Sequence, residues 1–116
     1  MSTTLDQQRA AYAWISVQGC NSDYVNLSKG AGALIMSNGL MATLAFYESK
    51  GKDHHKNLKA HLMIWLVRQQ KVTGKSFAEV MTDLHSGSSE KYRAATQETL
   101  DLLRWIRQFA AAVGKE

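Results

Sequence analysis

The chain has 116 residues, 45% of them hydrophobic, a net charge of +4 and no proline; this length suits one domain, residues 1–116, with a modest core of its own, and the lack of proline favours long unbroken helices. Its one cysteine, Cys20, excludes an intrachain disulfide, fits a reducing compartment and reads as a small half-buried apolar residue. The start, Met1-Ser2-Thr3-Thr4, is polar, with no secretory signal, and no apolar run approaches the ~20 residues of a membrane span; the expectation is a soluble, cytoplasmic protein without membrane contact.

In chain order, Thr3 or Thr4 caps a first helix, with Asp6 placed in its first turn to meet the positive end of the helix dipole. Leu5, Ala11, Tyr12, Ile15 and Trp14 supply its apolar face, and it ends near Gly19-Cys20-Asn21. Asn21, Ser22 or Asp23 caps the next segment, Tyr24 to Ser28. Ser28, Gly30 and Gly32 then mark an opening turn into the run on which the chain is organised, Lys29 to Lys50. That run holds Leu34, Ile35, Met36, Leu40, Met41, Leu44, Ala45, Phe46 and Tyr47, too many apolar residues for a helix with a wet side, so it reads as a central helix surrounded by others. Gly39 in its middle costs about 1 kcal/mol against alanine, so a neighbouring backbone packs close there or the helix bends.

Asp53-His54-His55 forms a cap for a helix carrying Leu58, Leu62 and Trp65. The run Leu62 to Val67 could be a buried strand by composition, but Lys56 to Gln70 holds no turn signal and exceeds ordinary strand length, which favours helix. Val72-Thr73-Gly74-Lys75 is a turn. Ser76 and Glu79 form a capping box for a short helix with Phe77, Val80, Met81 and Leu84 on its apolar side. From Tyr92 a last helix carries the stripe Ala95, Thr99, Leu102, Leu103, Ile106, Phe109, Ala110 and Val113. Arg93, Gln97, Asp101, Arg104 and Gln108 lie opposite, and Trp105 falls just outside the stripe. The fold class is therefore all-α, a compact bundle of about five helices, with Leu34, Leu40, Leu44, Leu103 and Ile106 in one core.

The search for chemistry is mostly negative. His54 and His61, seven apart, share a helix face, but no third ligand has metal-site spacing, so His54, His55, His61 and His85 read as a solvated set. Gly30-x-Gly32 is too short for a phosphate-binding fingerprint. No nucleophile is paired locally with a base. The expectation is a protein that is not an enzyme, with no catalytic residue, metal or cofactor. Charge is the informative feature: Lys50, Lys52, Lys56, Lys59, Arg68, Lys71 and Lys75 fall in one window with a single acid, Asp53. Such a cluster can supply an electrostatic footprint for nucleic acid; from charge alone, a solvated lysine-rich helix end and loop fits it better.

Leu34-Ile35, Asn38-Gly39-Leu40 and Thr43-Leu44-Ala45-Phe46 together resemble the signature of the small helical subunit of the type III-B CRISPR effector, the Cmr complex. Tyr92-Arg93-x-Ala95-Thr96-x-Glu98, continuing to Leu102, Trp105 and Phe109-Ala110, resembles that family's last helix, and Ala10, Ala11 and Val17 fit its first more loosely. The similarity spans Arg9 to Ala112 and is weaker from Lys50 to Ser89. Where the family often has a proline before the Leu-Ile pair, this chain has Gly30, Ala31 and Gly32. The resemblance implies a noncatalytic subunit of an RNA-guided antiviral complex. Its partners would be the other Cmr subunits, neighbouring copies of itself stacked as a filament, and the guide and target RNA. Base pairing would read sequence, leaving charge and shape to the protein, and the basic window would then contact phosphates. The alternative from another class is a helical protein–protein adaptor whose lysines only solvate it.

Overall fold

The structure, a computed structural model, describes residues 2–114. Met1 of the polar start, and Lys115 and Glu116 at the other end of the expected domain, lie outside them. Among the described residues the chain forms six α-helices: α1 (Leu5–Ser16), α2 (Ser22–Asn38), α3 (Leu40–Lys50), α4 (Asp53–Arg68), α5 (Phe77–Ser86) and α6 (Ser89–Val113). No described helix is long and apolar enough to cross a membrane.

Short polar side chains set several of the boundaries. Thr4 Oγ1 accepts from the Gln7 N–H while Gln7 Oε1 accepts from the Thr4 N–H, a complete capping box for α1. Asn21 Oδ1 accepts from the Tyr24 N–H and starts α2. Ser76 Oγ accepts from the Glu79 N–H as the spacing predicts, but Glu79 Oε1 takes the N–H of Lys75 rather than of Ser76, so only half of the expected box forms. Ser88 caps α6 one turn before the expected start at Tyr92.

The expected central helix, Lys29 to Lys50, is two helices. Gly30 and Gly32 are not an opening turn; they lie inside α2, which runs from Ser22. The chain breaks instead at Gly39, which ends α2 and begins α3 with φ 94° and ψ 160°. That conformation is essentially restricted to glycine. The Met41 N–H, left without a helical acceptor by the break, donates to the Tyr92 hydroxyl of α6 at 3.1 Å. A Cβ on Gly39 would lie 3.2 Å from the same oxygen. Of the two readings of Gly39 the bend holds; the close neighbour is the Tyr92 side-chain hydroxyl rather than another backbone. Gly39→Ala is expected to cost about 1–3 kcal/mol from the backbone alone. Adding Tyr92→Phe should not restore the loss, because removing the hydroxyl leaves the strain in place. Urea midpoints of the single and double variants measure this.

With its central helix divided, the chain is organised around α6. This 25-residue helix packs along α1 and α2 and reaches α4 and α5. Its stripe is buried at Ala95, Thr99, Leu102, Leu103, Ile106 and Ala110, together with Glu98, while Phe109 and Val113 pack at the edge. Leu40, Leu44 and Tyr47 of α3 and Leu58, Leu62, Trp65 and Leu66 of α4 belong to the same core. Leu34 does not; it is half-buried at the margin. The apolar face expected for α1 is also corrected. Its buried positions are the small Ala13, with Val17 at its C-cap, whereas Leu5, Ala11, Trp14 and Ile15 are exposed and Tyr12 is half-buried.

Polar contacts fix the helices against each other at the core's edge. Arg9 of α1 forks onto Glu98 of α6, Nε to Oε2 at 2.6 Å and Nη2 to Oε1 at 2.9 Å, and Trp65 Nε1 of α4 donates to Glu98 Oε2 at 2.9 Å. Trp105, left just outside the stripe by the sequence, is half-buried and donates from Nε1 to Asp6 Oδ1. The Tyr12 hydroxyl donates to the carbonyl of His61, and the Tyr24 hydroxyl meets His61 Nδ1 at 2.8 Å. Together these two tyrosines tie α1 and α2 to α4.

Candidate nucleic-acid interface

The basic window runs from the end of α3 through α4 into the loop before α5, and the fold divides it into three parts. Lys50 ends α3, Gly51 turns the chain in the left-handed conformation at φ 68°, and Lys52 is the N-cap of α4, so Asp53-His54-His55 is the first helical turn rather than the cap. Lys56 follows one turn from Lys52. All three lysines are exposed. Lys52 provides no side-chain cap, and Asp53 is the acid of the first turn.

Lys59 belongs elsewhere. Its ammonium pairs with Glu48 of α3 and sits 5.5 Å from the centre of the Phe77 ring of α5, with its side chain largely covered. The spacing Lys52, Lys56, Lys59 therefore does not yield three free cations on one side of α4. The third part, Arg68 and Lys75, lies at the far end of α4. Lys56 and Arg68 are separated by about 18 Å along an α-helix rising ~1.5 Å per residue. Arg68 lies over the Tyr12 ring at 5.1 Å. With Lys75 it lines an apolar groove of about 430 Å³ whose other walls include Met63, Ile64, Val67 and Val80. Lys71 is half-buried, and its charge helps to keep Glu98 ionised.

The α3–α4 corner also holds the histidines and an aromatic ring that the sequence placed differently. His55 is not solvated: it is 8% exposed, its Nδ1 has no hydrogen-bond partner, and its ring packs near those of Phe46 and Tyr47. Burial pushes its pKa down, and the charges of His54, Lys50 and Lys52 push the same way. Burial raises the Tyr47 phenol to about 12 and lowers His61, which is half-buried against Tyr24. His54 and His61 do share a face, where with Asp53 and Asn57 they line a polar cleft of about 270 Å³ beside Cys20. No group of three His, Cys, Asp or Glu among the described residues is arranged to hold a metal ion.

Phe46, counted in the sequence among the buried residues of a central helix, is 45% exposed. The signal that would have placed it outside is the spacing Leu40, Thr43, Leu44, Tyr47, a complete i, i+3, i+4, i+7 stripe that excludes position 46. All four stripe residues are buried.

The model of the family described as CRISPR-associated protein (Cas_Cmr5) matches residues 5–113, nearly the whole chain and all six helices. The chain belongs to the Cas_Cmr5 family. It is accordingly a subunit of the type III-B CRISPR Cmr complex, with the other components of that complex as its partners. In this Cas_Cmr5 protein the exposed cations of the α3–α4 corner stand apart from the apolar groove at the other end of α4. The two ends of one helix thus offer different surfaces, one suited to polyanions and one to apolar side chains.

Proposed function

We propose that this Cmr subunit is a noncatalytic structural component of the RNA-targeting effector, working in the cytoplasm in antiviral defence. It stacks with copies of itself beside the backbone subunits and helps hold guide and target RNA. The observation that carries the RNA contact is the corner of Lys50, Lys52 and Lys56, exposed cations outside every ion pair described in the structure. Lysines there can neutralise phosphates without reading bases, which is what a subunit needs when base pairing reads the sequence. Contact with neighbouring proteins is supported by the apolar side chains left outside the core, Trp14 and Ile15 on α1 and Ile64 and Val67 on α4. Arg68 and Lys75, on the rim of the apolar groove, fit that protein contact better than a phosphate.

Lys52→Gln and Lys56→Gln together test the phosphate contact. Each phosphate neutralised contributes about 0.7 to the slope of log affinity against log salt on a single strand. The slope for target RNA binding by the reconstituted complex is expected to fall by about 1.4 for each copy of the subunit in contact with the strand, equally for every guide sequence. Lys59→Gln, which breaks the pair with Glu48, should leave the slope unchanged. An unaltered slope in the double variant would favour the adaptor without RNA contact, and a loss that depends on guide sequence would exclude contact by charge and shape alone.

A further inference from the structure

We propose that Phe46 is a stacking platform for an unpaired RNA base, beside the phosphate-binding lysines of the α3–α4 corner. This rests on the reading of that corner as an RNA contact and adds the chemistry of a base to that of the phosphates.

The ring is 45% exposed and packs against buried neighbours. His55 meets Phe46 edge-on, with ring centres 6.4 Å apart and planes at 86°, and Tyr47 lies at 6.1 Å. Both neighbours are buried, so the platform has fixed support. The helix positions around it on the outer side, Ala42, Ala45 and Ser49, are small and exposed, which leaves room for a flat group. Lys50, one turn on, rests its ammonium 5.3 Å from the ring centre. An exposed lysine there is readily displaced, and moving from the ring to a phosphate keeps its charge satisfied.

Charge decides the class of occupant. The Lys50 ammonium lies over the ring, and His55, packed against it, feels the charges of His54, Lys50 and Lys52, while the acids nearest along the chain are Glu48, held by Lys59, and Asp53 in the first turn of α4. An apolar knob from another protein would gain nothing from three lysines. A single-stranded polyanion carrying flat bases satisfies both features, and alternating cations with aromatic rings is how sequence-tolerant single-strand binding is built.

The test uses the full chain with two probes of about 12 nucleotides, within the span such grooves cover. One is oligoadenylate with 2-aminopurine at its centre; the other is a strand of abasic sites with the same phosphates. Phe46→Leu is expected to weaken oligoadenylate binding by about 5-fold or more, the low end of the range for one lost base stack. It should leave the abasic strand and the salt slope unchanged and abolish the quenching of 2-aminopurine expected with the wild type. Phe46→Tyr, which keeps the ring, should bind and quench as the wild type does. Equal loss on both strands, or undiminished quenching by Phe46→Leu, would overturn the platform. If Phe46→Leu has no effect while Lys52→Gln with Lys56→Gln still lowers the salt slope, the platform falls and the phosphate contact stands. If neither variant changes anything, both fall.

Discussion

Glu98→Ala is expected to destabilise the fold by about 3 kcal/mol or more, an effect of the size seen when one member of a buried ion pair is removed. Glu98 is 4% exposed and accepts three hydrogen bonds, two from the Arg9 guanidinium and one from the Trp65 indole. The Arg9 side chain is 13% exposed, so losing Glu98 leaves a cation largely out of water and an indole N–H without its acceptor. Asp6 at 3.2 Å and Asp101 at 3.5 Å still face Arg9, which keeps the loss near the low end of the 3–5 kcal/mol range. Burial pushes the Glu98 carboxyl up, but the hydrogen bonds from Arg9 and Trp65 and the charges of Arg9 and Lys71 outweigh it and hold the group below its ordinary 4.5. A carboxylate depressed in the folded state contributes stability that is complete above its unfolded pKa and disappears as pH falls through the folded one. The wild type should therefore lose stability below about pH 4.5 more steeply than Glu98→Gln, which keeps a partner for Trp65 but has no charge to titrate. Urea unfolding followed by circular dichroism between neutral and acid pH gives both results. A Glu98→Ala protein as stable as the wild type would mean that the three-helix tie is not a stability element.

Leu44→Ala is expected to cost about 2–5 kcal/mol. Leu44 has no exposed surface and sits on the buried stripe of α3, which packs against α2, α4 and α5. Truncating it removes buried apolar contacts and leaves a void lined by several helices, which cannot all close on it. Ile15→Ala is the informative comparison. Isoleucine is as apolar as leucine, and the sequence of α1 invites its burial, yet Ile15 is 73% exposed and its truncation should change stability by no more than about 0.5 kcal/mol. Chemical denaturation of the two variants side by side tests the core and the corrected face of α1 together.

Helical content, the cap at Ser76, the narrow choices that held the caps at Thr4 and Asn21, and the face of α6 were legible in the residues because each depends on neighbours within one or two turns. A hydroxyl or amide three residues before an N–H, or an apolar side chain every third or fourth position, is local information. The family signature lay in the same local runs, around Asn38-Gly39 and from Tyr92 onward. The break at Gly39 was half legible. A glycine in an apolar helical run signals a bend or a close neighbour, but only the packed structure shows that it adopts φ 94° and that the freed Met41 N–H finds the Tyr92 hydroxyl. The face of α1 was misread because its large apolar residues point outward. The core takes Ala13 and Val17, while Arg9 is largely covered because Glu98, 89 positions away, neutralises it. The candidate interface followed the same division. A window of seven basic residues is visible in the sequence, but tertiary structure pairs Lys59 with Glu48, sets Arg68 over Tyr12 and leaves Lys50, Lys52 and Lys56 exposed at the α3–α4 corner, Lys50 over the ring of an exposed Phe46. Composition determines how many charges a segment carries; which of them remain free depends on the acids and rings that other helices bring within reach.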